Sequence, residues 1–495
     1  MTYNEEDLFK LSSGRYILDN RISDIMQKLY NIRPERAWQD DSTGYSWDEA
    51  GMADLFSELY EHDTRFCPER KSWYTYEGGR WQKDVGSLLI SAKIKEFVRI
   101  LSLYCGEIVD EDIRKKYMSF VTKMGDRRFR DRIMKDAADS MRITAETFDS
   151  DPYLINCTNG TFDLKEMTFR EHSWTDFITL QTRFEGTMKF EDISCPRWET
   201  FIGEVTQGDL DKAEYLQRAL GYSILGTSKE ECMFILHGKS TRNGKSTLLN
   251  TIEYMLGDYS TAAPVNLICK GNKGGAESAN PVLASLKAKR FVTMAESDDA
   301  GKLDESAIKQ YTGGESITAR ELYQAPITFV PQFTLWLSCN DLPAVRDKSL
   351  FASNRLRLIE FNRHFTEAEQ DKNLKAELED PKNMQGIFSW LLAGYLKYLR
   401  YGLELPESMK APVKKYERDN DVVLQFLEEN CEYDTDEKVR VKTAYDQYKI
   451  WSRSNGFLTM SIRKFTAEMD KHPDFYDYKA EGTGHATYYF GMKLV

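Results

Sequence analysis

Phe234-Ile235-Leu236-His237-Gly238-Lys239-Ser240-Thr241-Arg242-Asn243-Gly244-Lys245-Ser246-Thr247-Leu248-Leu249 decides the fold. A short apolar run, a polar loop bounded by glycines and a Lys-Ser pair opening a new apolar period read as strand, phosphate loop and helix. That order turns backbone N–H groups and a helix N-terminus toward a polyphosphate. Gly238, Arg242, Asn243 and Thr247 line such a loop, Gly244 lets the backbone approach, Lys245 reaches the outer phosphates and Ser246 ligates Mg²⁺. The spacing departs from the usual pattern, since five residues rather than four separate Gly238 from Gly244 and Lys239 fills a position where glycine is usual. A strand-to-helix turn without a ligand is the plainer alternative.

Downstream, Arg290-Phe291-Val292-Thr293-Met294-Ala295-Glu296 is a second apolar run, ending in acids that continue through Asp298 and Asp299. A buried strand ending in a carboxylate is what orients Mg²⁺ and polarises an attacking water, so Glu296 is the expected base and a metal-side ligand. A third run, Phe333 to Cys339, ends in Asn340, whose amide can position that water; its alternative is a turn asparagine. Three apolar strands joined through helical segments describe a parallel sheet with its ligand at the carboxyl edge. Between the second and third runs, Leu303 to Tyr311 reads as a helix carrying Lys309 and closed by Gly313 and Gly314. Ile317 to Phe329 then alternates as a hairpin, with Arg320, Tyr323 and Gln324 toward its tip. Arg355, just ahead of another strand, offers a planar fork that can stabilise charge on a neighbour's nucleotide, or make an ordinary ion pair.

At 495 residues, with 41% hydrophobic and 29% charged side chains, the chain has room for about three domains of ~150 residues. No apolar leader follows Met1 and no run is long enough to span a bilayer, so a cytoplasmic protein without membrane contact is expected. Eight singly placed cysteines and six histidines disfavour both a zinc site and a disulfide framework. A net charge of −12 argues against a protein that coats nucleic acid non-specifically over its whole surface, and leaves local contact open.

Ahead of the phosphate loop, Met52 to Tyr60 has helical spacing, as does Ile25 to Tyr30. Ser72 to Trp81 alternates around Gly78-Gly79 as a hairpin, whose aromatics fit sheet packing better than base stacking. The basic run Lys123 to Lys135 is interleaved with Asp126 and Asp131, the pattern of a salt-bridged helix face. Leu154 to Leu164 reads as two strands about Asn159-Gly160, and a long amphipathic helix is expected from Pro196 through Leu216 to Tyr222. Beyond Pro412, helix, strand, helix, helix and hairpin follow, with Arg463 and Lys464 near the start of the element that would enter a DNA groove.

Taken together, Gly244-Lys245-Ser246, Glu296, the hairpin, Asn340 and Arg355 resemble the superfamily-3 helicases, most of all the phage and plasmid branch of the poxvirus-type primase-helicases. Arg80-Trp81, Asn159 to Leu164 and Cys195-Pro196-Arg197-Trp198 resemble that family's N-terminal companion domain. The resemblance implies an α/β fold: an AAA+-like P-loop parallel-sheet core over residues 196–410, an α+β domain over 1–195, and a winged-helix-like domain over 411–495. It implies an ATP-dependent replicative DNA helicase of a phage or mobile element, in a bacterial host's cytoplasm. Its ring would be a homo-hexamer moving 3′ to 5′ on single-stranded DNA, with ATP and Mg²⁺ between subunits. Lys245, Ser246 and Glu296 would act in cis, Asn340 as sensor and Arg355 from the neighbour. Single-stranded and forked DNA, with a separate primase or replication initiator, would be the partners. Viral initiator helicases carry a Lys-His pair at the hairpin tip, where this chain has Leu322-Tyr323-Gln324. Stacking by Tyr323 and backbone contact from Arg320 would take its place.

Primer synthesis is not expected, because Asp110-Glu111-Asp112 lacks a companion strand and reads as an exposed acidic turn. A nucleotide-switched initiator that binds an origin without unwinding it is the second class of function. A small-molecule kinase is a third, and lacks a lid-like arginine cluster.

Overall fold

A computed structural model describes residues 45–108, 110–270, 280–295, 301–320, 326–481 and 486–495. The helix Glu49–Tyr60 starts where the Asp48 side chain accepts from the Gly51 amide, and it buries Met52, Leu55, Phe56 and Leu59. Next comes an antiparallel sheet of β1 (Thr64–Cys67), β2 (Ser72–Glu77) and β3 (Arg80–Lys83). Its hairpin turns on Gly78 and Gly79, with φ of +59° and +78°. Trp73 and Trp81 are only 3% and 1% exposed, so these aromatics are sheet core. The basic run forms the helix Arg127–Ser140, capped by Asp126 and paired outward through Arg127–Asp131 (3.7 Å) and Arg132–Glu49 (2.8 Å). Asp110 caps the helix Glu111–Met124, accepting from the amides of Asp112 and Ile113.

A second antiparallel sheet holds β4 (Leu154–Cys157), β5 (Gly160–Asp163) and β6 (Thr168–Arg170). Its Ile155, Phe162 and Leu164 join one continuous core with Trp198, Leu220, Leu248 and Phe388, so packing crosses residue 195 without a break. The long helix expected from Pro196 to Tyr222 is two helices, Pro196–Val205 and Leu210–Ser223. The chain is interrupted where Gln207 and Gly208 both turn left-handed, at φ of +57° and +77°.

The first two apolar runs become β7 (Met233–His237) and β9 (Phe291–Ala295), and between them lies a strand the sequence did not announce, β8 (Ser260–Ala262). The short hairpin β10 (Ile317–Ala319) and β11 (Ile327–Phe329) comes next, then β12 (Thr334–Cys339) and β13 (Leu356–Glu360). Five of these strands pair in parallel in the order β13-β7-β12-β9-β8, the expected AAA+-like core. Alternate residues of β7 feed two layers. Phe234 and Leu236 pack with Leu248 and Ile252 of the helix that follows the phosphate loop, while Met233 and Ile235 pack with Val292, Leu335 and Leu358.

The helix Glu407–Asp419 runs through residues 410 and 411 and sets Tyr416 in the second layer. It leads to the helix Val422–Asn430, β14 (Cys431–Arg440), the helices Val441–Ser454 and Ile462–Met469, then β15 (Tyr478–Glu481) and β16 (Thr487–Leu494). The element order is the one read from the sequence, with strands arranged β14-β16-β15. Lys348 ties this unit to the sheet, its Nζ 2.6 Å from Asp421 Oδ2 and 3.0 Å from Glu468 Oε2. Among the described residues, no helix is long and apolar enough to cross a membrane.

Two glycines set how closely the helices Leu210–Ser223 and Pro381–Tyr401 cross. A Cβ on Gly221 would lie 2.3 Å from the Tyr395 amide nitrogen, and one on Gly394 would lie 2.2 Å from the Gln217 carbonyl oxygen. Because each obstacle is backbone, Gly221→Ala is expected to cost ~1–3 kcal/mol by forcing the helices apart. Urea unfolding monitored by circular dichroism checks this; an unchanged midpoint would refute the backbone contact.

Candidate active site

The loop after β7 is shaped by left-handed residues and one close approach. Gly244 has φ of +89°, and a Cβ there would lie 2.5 Å from Val205, so the helix Lys245–Leu256 starts hard against the end of the helix Pro196–Val205. Arg242 is also left-handed, at +56°, whereas Lys239 is not, so a lysine is tolerated where glycine is usual. The glycine requirement sits one residue earlier: a Cβ on Gly238 would lie 2.4 Å from the Phe361 carbonyl oxygen and 2.5 Å from Asn243 Nδ2.

Lys245, only 5% exposed, donates from Nζ to the Gly238 carbonyl (2.9 Å) and to Asn340 Oδ1 (3.0 Å). The amide at the end of β12 and the cation of the phosphate loop, 95 residues apart, thus meet at the carboxyl edge. Asn243 braces the loop from inside, its Nδ2 donating to the Ser240 carbonyl at 2.6 Å. The segment beyond β13 braces it from outside, through Phe365 N to Arg242 O (2.9 Å) and a 2.9 Å contact of His364 Nδ1 with Thr241 O. Ser246 is exposed in the first helical turn, with Thr247 half-buried beside it. A left-handed glycine at a helix mouth, a cation, an amide and an exposed hydroxyl suit a Mg²⁺–polyphosphate.

Sequence reasoning did not anticipate what lies beside the loop. A cavity of 470 Å³ opens there, lined by His237, Lys239, Ser240, Glu360, Asn362 and Lys415 among others. His237 beside Glu360 holds that carboxyl below the usual carboxylate range despite its burial. The signal available was Glu360 itself, a carboxylate closing a largely apolar stretch of sequence.

Arg355 occupies the opposite edge. It precedes β13, whose Leu356 pairs with Met233 at the start of β7 and whose Glu360 pairs with His237 at its end. Five residues of strand, ~16 Å, therefore separate it from its own loop, beyond the reach of one side chain. Its guanidinium donates to Thr312 Oγ1 (2.7 Å) and the Glu231 carbonyl (3.3 Å), and pairs with the Glu231 carboxylate. Glu296 lies outside the described residues, as do Asp298, Asp299, Tyr323 and Gln324. Lys309 is 2.7 Å from Asp347 Oδ2, and this contact holds the Asp347 carboxyl down at about 2. Arg320 is exposed at the end of β10. Arg463 and Lys464 are exposed in the first turn of the helix Ile462–Met469, which Ser461 caps.

Residues 53–207 match a family model described as D5 N terminal like, and residues 418–484 match one described as Poxvirus D5 protein-like. Residues 236–355, from the phosphate loop to Arg355, match a family of unknown function. A helicase-named protein of Acanthamoeba polyphaga mimivirus is 27% identical over 441 residues, covering 82% of this chain and 45% of that protein. A helicase-named protein of Sputnik virophage is 27% identical over 341 residues, covering 64% of this chain and 41% of its own length. The chain thus spans less than half the length of these curated relatives. Among solved structures, the apo A form of the NrS-1 C terminal region shares the fold at a TM-score of 0.50 and 12% identity, over 90% of this chain and 100% of that one.

Arg355 also has a structural load that its sequence did not announce. With 14% of its side chain exposed, Arg355→Ala is expected to cost about 1.5–3 kcal/mol, the range for hydrogen bonds to a charged group. Arg355→Lys should recover only part of it, since an ammonium cannot reproduce the fork. Chemical denaturation of the three proteins checks this, and equal stabilities would remove the structural role.

Proposed function

The chain belongs to the D5-type primase-helicase family, and from that premise we propose that it is an ATP-dependent replicative DNA helicase of a virus or mobile element. It works as a homo-hexameric ring moving 3′ to 5′ along single-stranded DNA. The observation that carries this reading is the meeting of Lys245 Nζ, the Gly238 carbonyl and Asn340 Oδ1 at one sheet edge. Mg²⁺-ATP, when bound, supplies the phosphoanhydride whose hydrolysis drives movement. Lys245 and the amides of the loop hold the phosphates, Ser246 holds the metal side, and Asn340 orients the water for which Glu296 is the base. Arg355, out of reach of its own loop, exchanges Glu231 for the nucleotide of the neighbouring subunit. Single-stranded and forked DNA are the substrates. Lys309, Arg320, Tyr323 and Gln324 are the proposed contacts to the single strand, and Arg463 and Lys464 those to duplex. A separate primase or replication initiator is its protein partner. The retention of Arg355 by Glu231 and Thr312 favours a second reading, a nucleotide-switched initiator that binds origin DNA without unwinding it.

Mixing experiments separate the two. Lys245→Ala and Arg355→Ala should each lower ATP turnover by a factor on the order of 10³, with nucleotide still bound by the Arg355 variant. Co-assembled mixtures of the two should recover activity at composite sites. Full turnover in Arg355→Ala, or co-assembly without recovery, would support the switch. Glu296→Gln should bind ATP and fail to hydrolyse it, measured by equilibrium binding beside turnover.

A further inference from the structure

The C-terminal sheet carries aromatic side chains on the face turned away from its core. Along β16, Tyr489 is 0% exposed in the interior, so its neighbours Tyr488 and Phe490 lie on the other face, where both are half-buried. Phe490 pairs across the sheet with Lys438 of β14 and Tyr478 of β15, and Tyr488 pairs with Arg440 and Ala480. The outer face therefore reads in two rows: Lys438, Phe490, Tyr478 and Arg440, Tyr488, Ala480. Beyond Phe490 the left-handed Gly491 (φ +82°) breaks the alternation and Met492 returns to the core, which confines the outward rings to this patch.

The rings are pre-arranged, and the outermost of them is open. Tyr478 and Phe490 stack with centroids 4.7 Å apart and planes 12° from parallel. Lys438 Nζ lies 5.4 Å from the Tyr488 centroid and 5.5 Å from that of Phe490. Tyr478 is on the edge strand and 56% exposed, so its outer ring face is open. The N-terminal hairpin shows the contrast: its Trp73 and Trp81 are 3% and 1% exposed. Lys438 and Arg440 on this face are exposed, and neither is in an ion pair among the described residues.

We propose that this outer face, Tyr478, Tyr488 and Phe490 with Lys438 and Arg440, is a platform for the unpaired bases of single-stranded DNA. A base continues the stack on the open face of Tyr478, and Lys438 and Arg440 meet the adjoining phosphates. Aromatic rings with flanking cations on a sheet suit this ligand because every base has a π-face and every linkage a charge. The platform is separate from the groove-facing Arg463 and Lys464, and it rests on the reading of the chain as a DNA-acting protein.

The test uses the full chain and fluorescein-labelled oligo(dT). Tyr478→Ala should weaken oligo(dT) binding on the order of 10-fold while leaving DNA-independent ATP turnover and the melting temperature unchanged. Tyr478→Trp should show emission quenched by oligo(dT). Lys438→Gln with Arg440→Gln should flatten the slope of log affinity against log salt by about 1.4, the value for two single-strand phosphate contacts. If wild type binds oligo(dT) while quench, affinity and slope stay unmoved, the platform is overturned and the helicase reading stands. A larger loss for duplex than for oligo(dT) overturns it as well. A wild type without ATP turnover would instead fail the helicase reading.

Discussion

The register of β7 between β12 and β13 is the constraint on which the rest depends. His237 lies opposite Cys339 on one side and Glu360 on the other, so Gly238, Asn340 and Phe361 leave the sheet together. A slip of one residue would turn Phe234 and Leu236 out of one core and Met233 and Ile235 out of the other, and both faces are buried. Burial on two sides thus pins chemistry at the edge. The Lys245–Asn340 contact is a consequence of that pinning.

Around the sheet, the packing distributes rigidity unevenly. One layer is continuous from Leu154 through the phosphate-loop helix to Met409, and includes the glycine-to-backbone crossing at Gly221 and Gly394. The C-terminal unit has its own core about Phe426, Tyr448 and Phe465, and meets the sheet through Lys348. Burial pushes the Asp421 carboxyl up, yet its hydrogen bonds with His472 and Lys348 outweigh that and hold it below its ordinary range. Such a joint keeps its charge down to acid pH and weakens only as that carboxylate protonates. Its Lys348 lies in the stretch between Asn340 and Arg355, so that side of the polar tether and the two edges of the sheet share one segment.

Much of the parallel core was legible because strands buried on both faces read as predominantly apolar runs: Phe291 to Ala295 and Phe333 to Cys339 are of this kind. The amide of Asn340 was legible from its place at a strand end. The helix break at Gln207-Gly208 was not, because nothing in a glutamine signals a left-handed residue. Nor could sequence show that Arg355 would find Glu231, 124 residues earlier, or that the glycine demand had moved from position 239 to 238. Contacts between distant segments follow from register, and register is a property of the folded sheet.

A chain whose phosphate loop opens at one sheet edge and whose Arg355 sits at the other is directional, like a link with a hook and an eye. On the proposed reading, two copies related by a two-fold axis would present like to like and leave both sites half-built. Only a head-to-tail contact, with different surfaces of successive copies, completes them. Such a contact closes into a ring when the rotation per step divides a full turn, and otherwise winds into a filament. The angle at which one subunit meets the next, more than any group in the site, then decides whether the assembly encircles a strand or climbs away from it.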